Sequence, residues 1–158
     1  MKKLIFTILS VFPALLWGQG APGGDAILGK KWWTGPKQEA QIEFFRNAGD
    51  STFYAKLVWM LYPNLPDGSP ALDTKNPDKA LRNRPMLGMT LIDTLTYNGY
   101  GQWFTRRMYV PEEGMYVRAH ITLENDGNLS LRVSKLGVVV DKTFVKVPSA
   151  AAGSAPTL

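Results

Sequence analysis

The chain has 158 residues, 45% of them hydrophobic and 11% aromatic, which suits one folded domain and excludes wholesale disorder. It has no cysteine and a single histidine, so disulfide scaffolds, iron–sulfur clusters, thiol catalysis and cysteine-built zinc sites fall away. Lys+Arg 18 against Asp+Glu 13 gives a formal charge of +5, scattered apart from the pairs Arg82/Arg84 and Arg106-Arg107. No basic stripe tracks a phosphate backbone, and nucleic acid is not an expected partner.

Residues 1–20 have the build of a secretory signal: Lys2 and Lys3, an apolar stretch from Leu4 to Trp17, then small residues at Gly18 and Gly20. That stretch contains Pro13 and falls short of the roughly 20 residues that span hydrocarbon, so cleavage near Ala21 is expected rather than anchoring. The mature chain is expected in the periplasm or the medium, with a formal excess of +3 and no transmembrane helix.

From there on, apolar residues recur at period two. Strands are predicted over 27–34, 40–46, 52–62, 88–96, 102–110, 115–124, 129–134 and 138–147. The connections Asn47-Ala48-Gly49-Asp50, Asn98-Gly99-Tyr100-Gly101, Pro111-Glu112-Glu113-Gly114 and Asn125-Asp126-Gly127-Asn128 carry hairpin chemistry. The reading is all-β: an eight-stranded antiparallel up-and-down barrel over 21–147, which hides its sheet edges by closing. A two-sheet sandwich would alternate in a similar way. Residues 148–158, small and punctuated by Pro and Gly, read as a disordered tail.

Alternation assigns faces. Met115, Val117, Ala119, Ile121 and Leu123 should point inward, as should Leu129, Leu131 and Val133. On 52–62, Phe53, Ala55, Leu57, Trp59 and Leu61 should plug the interior, leaving Tyr54, Lys56, Val58, Met60 and Tyr62 outside. Strand 102–110 poses a dilemma. Arg106 lies on one face and Arg107 on the other, so either choice brings an arginine inside, where it needs a carboxylate, an anionic ligand or a place at the rim.

Residues 63–87 interrupt the meander with prolines at 63, 66, 70, 77 and 85. A connection of this length is usually functional or disordered, and its leucines argue against disorder. Three readings compete. Asp67, Asp73, Asn76 and Asp78 could gather calcium, but their spacing does not match an EF-hand. Asn76-Pro77-Asp78 could cap a short helical turn through Lys79-Ala80-Leu81 while Arg82 or Arg84 pairs with a carboxylate, which is the preferred reading. Or the loop could lie across a barrel mouth with an arginine fork free for an anionic ligand.

Here the sequence resembles a known family. The run Trp59-Met60-Leu61-Tyr62-Pro63-Asn64-Leu65-Pro66-Asp67-Gly68, then Leu72-Asp73 with Lys75-Asn76-Pro77-Asp78, then Leu81-Arg82-Asn83-Arg84-Pro85-Met86-Leu87-Gly88, is similar to the signature of exported bacterial proteins grouped as domain of unknown function 2147. Ile27-Leu28-Gly29-Lys30 with Trp32 or Trp33, and Tyr109 with Pro111 and Gly114, fit the same pattern. The resemblance spans about 25–137 and fades at Arg132-Val133-Ser134-Lys135-Leu136-Gly137. It implies a small lipocalin-type barrel with a signal peptide and adds no reaction.

Catalytic chemistry is sparse. His120, the sole histidine, lies on a polar strand face with no G-x-S-x-G elbow in the chain, and one imidazole does not make a zinc site. Glu112 and Glu113 are adjacent and point apart, unlike the facing pair of a glycosidase. Gly18-Gln19-Gly20-Ala21-Pro22-Gly23 matches G-x-G-x-x-G as text, with no preceding strand.

The expectation is therefore a non-enzymatic binding module without cofactor or metal, holding a small amphipathic or anionic molecule. The residues assigned to it are the rings of Trp59, Tyr62 and Trp103, the loop groups Asp67, Asp73, Asn76, Arg82 and Arg84, and Arg106. The alternative is a solidly filled barrel that docks on a cell-envelope protein. An open interior would separate the two. A hydrolase using loop carboxylates is a more distant third.

Overall fold

The computed structural model describes residues 23–149. The signal segment lies outside them, as does most of the expected tail. Eight antiparallel strands close in sequence order: β1 (Lys31–Thr34), β2 (Ala40–Phe45), β3 (Phe53–Met60), β4 (Thr90–Gly99), β5 (Gln102–Val110), β6 (Met115–Leu123), β7 (Leu129–Lys135) and β8 (Val138–Lys146). The ring is completed by β1 pairing with β8 at Trp32 with Lys146, Trp33 with Val145 and Thr34 with Phe144.

The predicted strands match in number and order, with one difference at the start. Residues 24–27 form a 3-10 helix, and strand pairing in β1 starts only at Lys31. Ile27, expected on a strand, is wholly buried beneath the barrel as part of its plug. Asp25 ties this plug to the end of β2 through Arg46 at 2.9 Å, and Gly24 lies so close to the Phe53 and Tyr97 rings that a side chain there would press on both.

The interior is graded by size. At the plugged end Trp32, Phe44, Phe53 and Trp103 are buried together with Leu95, Ile121 and Leu129. Trp32 meets Phe44 edge-on at 5.4 Å and donates its indole N–H to the Gly127 carbonyl at 3.0 Å, sewing the β6–β7 turn to the floor. Toward the other end aliphatic residues replace most of the rings, and the small Ala55 and Ala119 and the unbranched Met60 and Met108 stand among Ile42, Leu57 and Ile92. The faces assigned to β6 and β7 hold, with Ala119, Ile121, Leu129 and Leu131 fully buried.

On β3 Phe53, Ala55 and Leu57 point inward as expected, but two bulges change the alternation beyond them and in β5. In β3, Leu57 pairs with Ile42 and Trp59 with Gln41, so Val58 is an extra residue and the alternation slips by one. Trp59 therefore turns outward, where it meets Trp33 edge-on at 5.3 Å, and Met60 turns in. In β5, Thr105 pairs with Ala119 and Met108 with Val117, leaving Arg106 and Arg107 together opposite Arg118. Both arginines are exposed. Both reach solvent, as the rim reading of the dilemma allowed, because the bulge places Trp103 and Thr105 inside before it and Met108 after it.

If the Trp32 floor supports closure, Trp32→Ala should cost about 3–5 kcal/mol, the range for a buried aromatic truncation. Chemical denaturation followed by far-UV circular dichroism reads this as a lowered midpoint with an unchanged native spectrum.

Candidate functional site

At the end opposite the plug the graded interior leaves a cavity of about 240 Å³. Its walls are Ile42, Ala55, Leu57, Ile92 and Phe144 from four strands, and the thioethers of Met60, Met86 and Met108. Polar groups stand at the rim: Thr34, Glu112, Glu113 and Lys142. Lys142 lies two residues from the buried Phe144 on the same face of β8 and has no ion-pair partner among the described residues.

The long connection leaves β3 and re-enters β4 at this end. Inside it, bridges join Asn64 to Pro70 and Leu72 to Pro85, and a 3-10 helix forms at Lys79–Leu81. Asp78 caps that helix by accepting from the Ala80 N–H at 2.9 Å, as the Asn-Pro-Asp sequence predicted. The core of the loop is the Asp73 carboxylate, 2% exposed. It accepts from the Tyr109 hydroxyl at 2.6 Å, from the Asn76 amide at 2.6 Å and from Arg84 Nε and Nη2 at 3.1 and 3.0 Å. Arg82 Nε donates to the Asn76 carbonyl at 2.7 Å. Lys75 Nζ reaches the Glu112 carbonyl at 2.6 Å, and Gly114, at φ +62, has no room for a Cβ beside the Lys75 carbonyl.

Of the residues assigned to a ligand from sequence, the structure gathers Asp73, Asn76, Arg82 and Arg84. Their donors and acceptors meet one another, and the Arg84 fork is occupied by Asp73 rather than free. Asp67 is exposed in a turn, accepting from the Ser69 N–H at 2.9 Å. Tyr62 is 72% exposed at the start of the loop, Trp59 is on the outer wall and Arg106 on the outer bulge. Trp103 is in the floor against Tyr97, with no partner for its buried indole N–H among the described residues. His120 is on the outer face, 4.6 Å from the Phe104 ring. No group of three or more His, Asp or Glu side chains converges as a metal site among the described residues.

Sequence reasoning missed Tyr109 as the link between loop and barrel, and Lys142 and the three methionines as cavity residues. The bulges were the missing signal, since they bring Met60 and Met108 inward against simple alternation.

A closed up-and-down barrel of eight antiparallel strands, plugged at one end and hollow at the other, is lipocalin-like in architecture. Its likeness to a solved structure, described as "Protein HP1028 from the human pathogen Helicobacter pylori belongs to the lipocalin family", covers 78% of this chain and 84% of that one at 21% identity, with a TM-score of 0.63. The chain belongs to the bacterial family described as "Uncharacterized protein conserved in bacteria (DUF2147)", whose model matches residues 30–145. A search of curated proteins gave no match.

Burial first, then the hydrogen bond to Asp73, holds the Tyr109 hydroxyl well above its ordinary value of 10.0. The folded protein thus keeps this proton at a pH where the unfolded chain has released it. The contribution to stability is complete below about pH 10 and falls as pH rises beyond it. Tyr109→Phe should cost about 1.5–3 kcal/mol at neutral pH, the worth of a hydrogen bond to a charged group. It should also flatten the alkaline decline in a series of urea titrations, with Tyr54, raised by its bond to Asp50, retaining part of the slope.

Proposed function

We propose that this protein is an exported, non-enzymatic binding module for a small amphipathic molecule carrying an anionic group, held in the mouth of the barrel. The observation that carries this reading is the cavity, with apolar walls below and a lysine without an ion-pair partner at its rim. A hollow end favours binding over the filled-barrel alternative. Its volume of about 240 Å³ lies below the roughly 300–1,000 Å³ of pockets for drug-sized molecules, so a short aliphatic or single-ring ligand fits better than a large one. The anchoring cation moves from the arginines expected from sequence to Lys142, because Arg84 is taken up by Asp73. Export is supported by the Lys2-Lys3 start, the apolar stretch to Trp17 and the small residues at Gly18 and Gly20. The lipocalin-like fold is compatible with binding and names no ligand.

Octanoate and octanol make a suitable pair of probes for isothermal titration calorimetry on the mature chain. Both should bind, and Ala55→Leu, which fills the cavity, should weaken both. Lys142→Ala should weaken octanoate about tenfold, the worth of one charge-assisted hydrogen bond, and leave octanol unchanged. Absence of heat for either probe at millimolar concentration, or binding indifferent to Ala55→Leu, would remove the reading.

A further inference from the structure

β1 has only four residues, and its pairing with β8 stops at Thr34 with Phe144. Residues 138–143 of β8 therefore have no neighbour on that side, and β7 continues past its last partner on β6, Arg118 with Ser134. Past Ser134 the β7–β8 hairpin parts from β6, whose residues 115–117 run on at the same end, so the tip of the hairpin is unpaired on both sides. Its tip is apolar and bare: Leu136 is 95% exposed, Val138 65%, Val139 55% and Val140 45%. Of the nine large apolar side chains most exposed among the described residues, these four and three more on the long connection belong to this end. Apolar exposure this concentrated marks an interaction surface.

Beside the tip, a groove of about 510 Å³ is lined by Arg106, Arg118, Lys135, Tyr116 and Ser134. None of the three cations has a carboxylate within ion-pair distance among the described residues. The β5 bulge adds Arg107, whose guanidinium lies 4.3 Å over the Tyr116 ring. The nearest acids, Glu112 and Glu113 of the β5–β6 turn, line the cavity rather than the groove, and the exposed Asp67 and Asp78 of this end stand on the long connection. Farther along the hairpin Arg132 is already neutralised by Asp141 at 2.9 Å, so the cationic excess is local to the tip.

We propose that this end docks on a bilayer surface containing anionic lipid, with Leu136 and its neighbouring valines entering the headgroup region and Arg106, Arg118 and Lys135 meeting lipid phosphates. Neither half of the surface accounts for the other alone. A soluble phosphate would use the cations and leave the bare leucine and valines unexplained, whereas a second copy would bury the apolar tip and bring an equal cluster of cations against this one. A bilayer interface offers apolar and anionic surface in adjacent layers. The inference goes beyond ligand binding and stands without it, although docking there would turn the cavity mouth toward lipid.

Co-sedimentation of the mature chain with sucrose-loaded vesicles tests it. Vesicles containing 30% phosphatidylglycerol are compared with pure phosphatidylcholine at low and high salt. Binding is expected to the former only and to weaken with salt. Replacing Arg106, Arg118 and Lys135 by Gln should lower partitioning on the order of a hundredfold, at roughly fivefold per cation. Leu136→Asp should lower it as well and leave the fold intact, since the side chain touches solvent and Asp accepts the φ of +49 found there. Equal binding to both vesicles, no binding, or a hairpin-dependent dimer that ignores vesicles would overturn the proposal. Octanoate titration of the same variants keeps the two ideas separate, because retained octanoate binding with lost vesicle binding isolates the docking surface.

Discussion

The demand that governs this molecule is closure. A sheet of eight strands ends in two rows of unpaired amides and carbonyls, and Lys31–Thr34 is the only segment that joins them. So short a seam can be tight at one end only. It is tight where Trp32 lies, and there the chain places its largest rings, its 3-10 plug and the Arg46–Asp25 tie. At the other end β8 runs on without a β1 partner, the interior mixes alanine and methionine with Ile42, Leu57 and Ile92, and both the cavity and the exposed hairpin tip follow from the same shortfall.

The long connection is held by a different kind of force. Backbone hydrogen bonds lace the loop to itself and only a few, such as Gly88 N–H to the Leu57 carbonyl at 2.8 Å, reach the barrel, while at its centre one buried carboxylate satisfies a phenol, an amide and a guanidinium together. Removing any one of these partners would leave the others desolvated, so the cluster acts as a unit. Tyr109 is its only member from the barrel, and Met86, from the same loop, forms part of the cavity wall. The Asp73 cluster, with the Lys75 bond to the Glu112 carbonyl beside it, therefore bears on loop attachment and cavity shape together.

The strand order was legible because period-two patterning and Asn-Gly turns are local signals, and β6 reads almost residue by residue from its sequence. The capping of the short helix by Asp78 was legible for the same reason. The choice of Asp73 as the shared acceptor was not, since it depends on a tyrosine 36 positions away. On β3 the inward assignment held through Leu57 and failed from Trp59, and the faces of β5 could not be chosen at all, because one extra residue reverses every inward position beyond it. The Arg106-Arg107 dilemma was itself the trace of a bulge, which lets two adjacent arginines both face solvent between the inward Thr105 and Met108. The N-terminal helix escaped because Ile27-Leu28 suits a strand as well as a plug, and only the fold reveals which space needs filling.

The three thioethers at the mouth come from β3, the long loop and β5, and they give the cavity an unusual character. Methionine has three rotatable bonds and a polarizable sulfur, so with the proposed ligand such a wall would reshape around guests of different outline, gaining tolerance at the expense of selectivity. The same atoms are chemically soft. Conversion of Met60, Met86 or Met108 to the sulfoxide would set a polar oxygen into a greasy chamber and drive out an aliphatic guest, making occupancy answerable to the oxidant level of the surroundings.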